Sequence, residues 1–424
     1  MSANEKRINQ GFDYAREVYA EKGIDVEQAM QKAAEFAVSM HCWQGDDVIG
    51  LETQAGGTSG GIQTTGNYPG RARTGDELRQ DFLKACSMIP GKKRLNLHAS
   101  YAELKGRKVD RDAYTVEDFA DWMAFSKENN IPLDFNPTYF GHKYVEDGFS
   151  LSSADEGRRK FWVEHGKRCR EIGYEFAKQQ GNPCIINFWC PDGYKDMPAD
   201  TDSPRARMIK SLDEIFEGTK QITDEYVLDA VESKLFGIGV ESYTVGSNEL
   251  MMGYAITRGK LLTLDTGHFH PTEQVSDKLS AVMQYLPKML LHISRPVRWD
   301  SDHVVSWDQE TTRIFNEIVA NSYEERIKCA LDYFDASINR VAAWVIGVRN
   351  AQKMLLNAYL TPHKTLREAE YNFDYTYRLA AQEEAKSMPF APVWDMYCLR
   401  QNVPVGEDWI NEIRAYEKDV LSKR

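Results

Sequence analysis

Leu261-Leu-Thr-Leu-Asp265-Thr-Gly-His268-Phe-His270 decides how this chain is read. A short apolar run of strand length ends in an acid, and two histidines follow directly. The same grammar recurs on both sides. Val227-Leu-Asp-Ala-Val-Glu232-Ser-Lys234 precedes it; Met289-Leu-Leu-His292-Ile293 and Lys328-Cys-Ala-Leu-Asp332 follow it. Between the last two lie Trp299-Asp300-Ser-Asp302-His303, and Asp335 closes the series. Acids and imidazoles at the ends of successive apolar runs are what a carboxylate-rich metal site at a barrel mouth requires, because catalytic groups of a (β/α)₈ barrel project from the C-terminal ends of its strands.

Working outward, the remaining strands fall at Phe36–His41, Arg94–His98, Ile131–Asn136 and Pro183–Trp189. The last of these reads as an apolar strand buried on both faces. Helices are predicted between them. Thr74 and Glu77 form a capping box, Thr115 to Asp118 open a second helix, and a charged helix runs from Arg158 to Gln180. Ser203-Pro204 reads as a cap and first turn. Further starts are expected at Ser247, near Glu273, and at Ser306 with Gln309 in the box position; a last helix spans Ile338–Leu360. Eight strand–helix units predict an α/β fold, a (β/α)₈ TIM barrel over residues 36–360. A doubly wound sheet also alternates, but no glycine fingerprint follows the first strand. Residues 1–35 read as an N-terminal helical segment broken at Lys22–Asp25. Residues 361–424 read as a helical C-terminal extension, with helices at Leu366–Ser387 and Glu407–Ser422, expected to make oligomer contacts.

The chain has 424 residues, 42% hydrophobic and 27% charged, with a net charge of −12. That balance argues against a nucleic-acid or anionic-membrane surface. No apolar run approaches the roughly 20 residues that span a bilayer. With no signal-peptide pattern at the start, a cytoplasmic enzyme is expected. The seven cysteines are scattered and never occur as C-x-x-C, so neither a disulfide framework nor a zinc finger is indicated. The glycine-rich stretch 54–70 lacks the Gly-Lys-Ser/Thr ending of a phosphate loop and reads as a long active-site loop.

Singly, each polar residue has an ordinary explanation. A D-x-D in a loop is usually a solvated turn, and His292 in an apolar run is more often a satisfied core histidine. Jointly they are too costly to bury without cations. The donors are carboxylates and imidazoles with no thiolate, which favours octahedral Mn²⁺, Mg²⁺ or Co²⁺ over structural zinc. The ligands divide into Glu232, Asp265, His292 and Asp332 for one ion and His268, Asp300 and Asp302 for another, with Asp265 placed to bridge. Whether Asp332 or Asp335 belongs to the set is left open by the spacing.

Asp265-Thr-Gly-His-Phe-His-Pro-Thr-Glu273, Ser294-Arg-Pro-Val-Arg-Trp-Asp-Ser-Asp-His303 and Leu331-Asp-Tyr-Phe-Asp-Ala-Ser-Ile-Asn-Arg340, together with Trp394-Asp-Met-Tyr-Cys398, resemble the L-rhamnose isomerases. These are metal-dependent aldose–ketose isomerases of the xylose isomerase type. The resemblance spans essentially the whole chain. It implies L-rhamnose to L-rhamnulose interconversion by a 1,2-hydride shift, with two Mn²⁺ per subunit (Co²⁺, Mg²⁺ or Zn²⁺ as substitutes) in a homotetramer, and it favours Asp332 as ligand. On this chain it implies catalytic roles for Lys234, Asp300, Asp302 and His98. His98, Trp189, Lys234 and His270 are the expected sugar contacts. The alternative is a related barrel isomerase or epimerase working by proton transfer.

Overall fold

Eight parallel strands close into one barrel in the computed structural model, which describes residues 3–52, 64–237, 239–270, 272–295 and 302–424. They are β1 (Val38–His41), β2 (Lys93–His98), β3 (Leu133–Asn136), β4 (Cys184–Trp189), β5 (Val227–Glu232), β6 (Leu261–Asp265), β7 (Met289–Ile293) and β8 (Ile327–Leu331). Each strand pairs with the next in sequence, and β8 returns to β1. A two-residue antiparallel ribbon, Gly193–Tyr194 with Tyr243–Thr244, links the loops after β4 and β5. Among the described residues no helix is long and apolar enough to cross a membrane.

Alternation along the strands divides their side chains between two environments. One set, Ile185, Leu228, Ala230, Leu261, Leu290 and Ala330, forms its own small apolar cluster. Alternating with it, residues such as Phe135 join the main core, where the Phe135 ring meets Phe119 at 4.9 Å and Phe176 at 5.4 Å. Each such buried aromatic or aliphatic side chain stabilises the fold by roughly 1.5–3 kcal/mol. At the N-terminal ends of the strands lies a polar floor. Asp134 accepts from Arg94 Nη2 at 2.7 Å, Arg94 Nε at 2.9 Å, Ser39 Oγ at 2.7 Å and the Ile185 amide at 2.9 Å.

Helix starts differ from expectation where another side chain caps better. Thr74 caps the Gly75–Cys86 helix through the Glu77 amide, while Glu77 reaches back to the Arg73 amide. Thr115 and Asp118 do form a reciprocal box, but around a 3-10 turn that leads into Ala120–Asn129. Ser203 lies inside the first turn of Asp202–Gly218, because Asp200 accepts from the Asp202 and Ser203 amides. Asp308, not Ser306, caps Gln309–Ala320 through the Thr311 amide. The helix expected near Glu273 starts at Ser276.

The C-terminal region is not one long helix after Pro362. Phe373 sits at φ 60° and divides it into His363–Tyr371 and Tyr375–Ala385. Phe390–Arg400 buries Val393, Trp394, Met396, Tyr397 and Cys398 and packs on the N-terminal helix Ala3–Ala20 of the same chain. Tyr375–Ala385 buries nothing and leaves Tyr375, Tyr377 and Leu379 exposed. All seven cysteines are free thiols, six of them buried.

Candidate metal centre and active site

Strand register brings the acids and imidazoles level with one another. Asp265 on β6 lies opposite His292 on β7, and Glu232 on β5 lies opposite both Trp189 on β4 and Thr263 on β6. Asp332 follows β8 directly, its amide bonded to the Ile293 carbonyl at 3.2 Å. Glu232, Asp265, His292 and Asp332 therefore each offer a ligand atom within 4.8 Å of the others. Asp335, three residues on, points elsewhere: it holds Thr65 Oγ1 at 3.0 Å and Ser337 Oγ at 2.5 Å.

The electrostatics of this group are those of ligands facing a shared centre. His292 Nδ1 stands 3.4 Å from Glu232, 3.3 Å from Asp332 and 3.8 Å from Asp265. Yet neither His292 nitrogen nor Glu232 Oε1 makes a hydrogen bond of ordinary geometry, although all are buried. Burial pushes the Asp265 carboxyl up to about 7, with His268 opposing and Glu232 and Asp332 adding to the rise. Burial also works on Glu232, but His292 and His268 outweigh it and hold that carboxyl well below its usual range. The imidazole of His292 is buried too, and the carboxylates of Glu232 and Asp332 raise it well above an ordinary histidine. Three carboxylates around one imidazole, with orphaned donor atoms, fit a divalent cation: hard oxygen donors plus one nitrogen, and no thiolate.

Outer contacts fix the ligands' orientation, as metal sites require. Trp43 Nε1 donates to Asp332 Oδ1 at 2.9 Å, and the Gly267 amide donates to Asp265 Oδ1 at 2.6 Å. Asn187 Nδ2 donates to Glu232 Oε2, and Thr263 Oγ1 donates to Asn187 Oδ1 at 2.7 Å. The Thr263 bond sets which end of the Asn187 amide faces Glu232.

One cavity collects these groups together with Lys234, His268, Asp302, His98 and Trp189. His268 Nδ1 lies 3.2 Å from Glu232 Oε1, and its ring stacks on Trp189 at 6.4 Å with 14° between the planes. Lys234 Nζ lies 5.7 Å from the centre of the Trp189 ring. Asp300 falls outside the described residues, as do 54–63 of the glycine-rich stretch. His270 does not line the cavity: its ring is exposed and bonded to Thr272. His303 Nδ1 is buried, and the His303 carbonyl accepts from the Arg295 amide.

Several lining residues had no acid or imidazole to betray them. Trp43, Val48, Asn136, Phe140, Asn187 and Phe334 complete the wall. Asn187 did carry a signal, as the one amide in an otherwise apolar β4. Val48 carried none. It sits at φ 60°, a left-handed backbone that a β-branched residue rarely adopts and that costs of order 1–3 kcal/mol. Its neighbours impose it: Arg340 grips both Asp47 oxygens at 2.7 Å, and Asp46 Oδ2 accepts from the Gly50 amide at 2.8 Å.

Sequence comparison gives the same answer from end to end. The profile of the family described as L-rhamnose isomerase (RhaA) matches residues 6–424. The L-rhamnose isomerase of Mannheimia succiniciproducens is 57% identical over 98% of this chain and 99% of its own length. That of Escherichia coli K12 is 52% identical over 99% of each. Among solved structures, an L-ribulose 3-epimerase covers 78% of this chain and 97% of its own at a TM-score of 0.50 with 12% identity, a likeness of fold alone.

Proposed function

Because the chain belongs to the L-rhamnose isomerase family, we propose that its barrel mouth interconverts L-rhamnose and L-rhamnulose. It is an aldose–ketose isomerase, an intramolecular oxidoreductase. The observation that carries this reading is the group of Glu232, Asp265, His292 and Asp332, of which Glu232, His292 and Asp332 line a cavity that also presents Lys234, His98 and Trp189. We assign a first divalent ion to that group. A second is assigned to His268, Asp302 and Asp300, with Asp265 bridging; Mn²⁺ is the ion expected at both. Bound there, the ions supply Lewis acidity toward two adjacent sugar oxygens.

The chain's own groups do the rest. Asp302, with Asp300, carries a proton between O1 and O2 of the open-chain sugar. The hydride passes from C2 to C1. Lys234 directs its ammonium at the negative charge developing on O1, a stabilisation made only in the transition state. Trp189 gives the sugar an apolar face. His98, buried at the end of β2, meets a sugar hydroxyl and assists ring opening. Burial pushes its imidazole down to about 4, so it does this as a neutral group.

Two measurements test the scheme. L-rhamnose labelled with deuterium at C2 keeps the label in the ketose if hydride moves directly; wash-out to solvent favours an enediol path. Lys234→Ala retains metal and loses turnover by about 10²–10³-fold, the scale of removing one transition-state donor. Unchanged turnover removes Lys234 from the scheme.

The assembly belongs to the proposal as well. We assign the barrel to residues 36–360 and the exposed aromatic face of Tyr375–Ala385 to contacts between copies in a cytoplasmic homotetramer, supported by the absence of any buried residue on that helix. Light scattering on Tyr377→Glu combined with Leu379→Glu reads the assembly directly.

A further inference from the structure

Thr138, two residues beyond the end of β3, is fully buried and has every polar atom engaged. Its hydroxyl accepts from the Ser100 amide at 3.1 Å and meets His98 Nδ1 at 3.2 Å. Its carbonyl accepts from Arg111 Nη1 at 2.8 Å. Its amide donates to His165 Nε2 at 3.0 Å, which makes that nitrogen an acceptor. His165 must then carry its proton on Nδ1, where it donates to the Arg111 carbonyl at 3.0 Å. The outer helix Glu156–Gln180 thus supplies a histidine of fixed tautomer, held between the Thr138 amide and the Arg111 carbonyl with Cys169 Sγ 3.7 Å from Nε2.

The same turn grips His98. The Thr138 hydroxyl holds the ring through Nδ1, which leaves Nε2 for the cavity that His98 lines. Ring edges hold it from the sides, Trp43 at 4.6 Å and Phe140 at 5.4 Å. Arg111 ties the arrangement down by also binding the Phe140 carbonyl at 2.6 Å and the Glu52 carboxylate at 2.9 and 2.7 Å.

We propose that Thr138 is a positioning residue: held by His165 and Arg111, it fixes the His98 ring through Nδ1 in a single tautomer, so that Nε2 is the nitrogen that meets the sugar. This rests on the reading of His98 as a sugar contact.

The test separates the two ideas. In wild-type protein labelled with ¹⁵N-histidine, His98 shows a single tautomer; a mixture of Nδ1–H and Nε2–H forms overturns the proposal, and this needs no variant. Thr138→Val keeps the shape and removes the hydroxyl. It lowers kcat/KM by about tenfold, leaves the affinity of the metal-stripped protein for Mn²⁺ unchanged and mixes the His98 tautomers, whereas Thr138→Ser restores both kcat/KM and the single tautomer. In a His98→Ala background Thr138→Val adds nothing further. An equal loss in both backgrounds shows that Thr138 does not act through His98 and overturns the proposal. If His98→Ala alone retains full kcat/KM, the reading of His98 as a sugar contact fails, while the ¹⁵N pattern still judges the hold on its tautomer.

Discussion

At the N-terminal ends of the strands Asp134 is buried against Arg94; at the C-terminal ends Glu232, Asp265 and Asp332 are gathered around His292. Both regions bury carboxylate in the same barrel, and they neutralise it by different means. On the floor the chain encodes its own cation. Arg94 gives Asp134 two hydrogen bonds and spends its remaining donors on Asn182 and the Pro183 carbonyl. At the mouth three acids face one imidazole that makes no hydrogen bond of ordinary geometry with them, the donor set of a divalent-metal site. A carboxylate paired within the chain belongs to the scaffold; one turned to a shared centre belongs to the candidate site.

The contrast breaks most visibly at Glu232. Glu232→Gln is expected to cut kcat/KM by about 10³-fold and to weaken Mn²⁺ binding, because Lewis-acid stabilisation is worth several kcal/mol. Asp134→Asn gives the mirror result. It costs about 3–5 kcal/mol of unfolding free energy by stranding Arg94, measured in urea, and leaves the metal content unchanged. Chelation of the wild-type protein lowers Tm, and titrating Mn²⁺ back raises it with concentration, the gain in unfolding free energy being about 2.7 kcal/mol per site at a hundred times Kd. The smallest effect sharpens the picture: Asn187→Ala frees one Glu232 oxygen and lowers metal affinity by about 10–100-fold, read by calorimetry on stripped protein.

The strands were legible because the short apolar runs carry a polar residue at or near their C-terminal ends, and β5 and β7 fall at Val227–Glu232 and Met289–Ile293 as read. Glu232, Asp265, His292 and Asp332 were legible for the same reason. What stayed hidden has physical causes. Trp43 holds Asp332 from the loop after β1, a contact between residues 289 positions apart that no local pattern encodes. Val48 reaches the cavity through a backbone conformation imposed by Arg340, which is distant in sequence and follows the neighbouring strand β8. Caps were misplaced by a few residues at Ser203 and Ser306 because several nearby side chains can serve, and only packing chooses among them. The exposure of His270, two residues from a cavity-lining histidine, goes with a ring turned to Thr272, a contact that its composition does not announce.

The level pairing of Asp265 with His292 has a consequence for how such an enzyme changes over time. Their relative height is set by the hydrogen-bonded register of β6 and β7, and a slip of one residue would turn both side chains to the other face of the sheet. The spacing of the metal's ligands is therefore a property of barrel closure and lies beyond the reach of loop mutations. Val48 and Phe140, by contrast, stand on loops, where insertions and substitutions are tolerated. Selection can retune which sugar is accepted without disturbing the chemistry applied to it, so new substrates are open to this scaffold far more readily than new reactions.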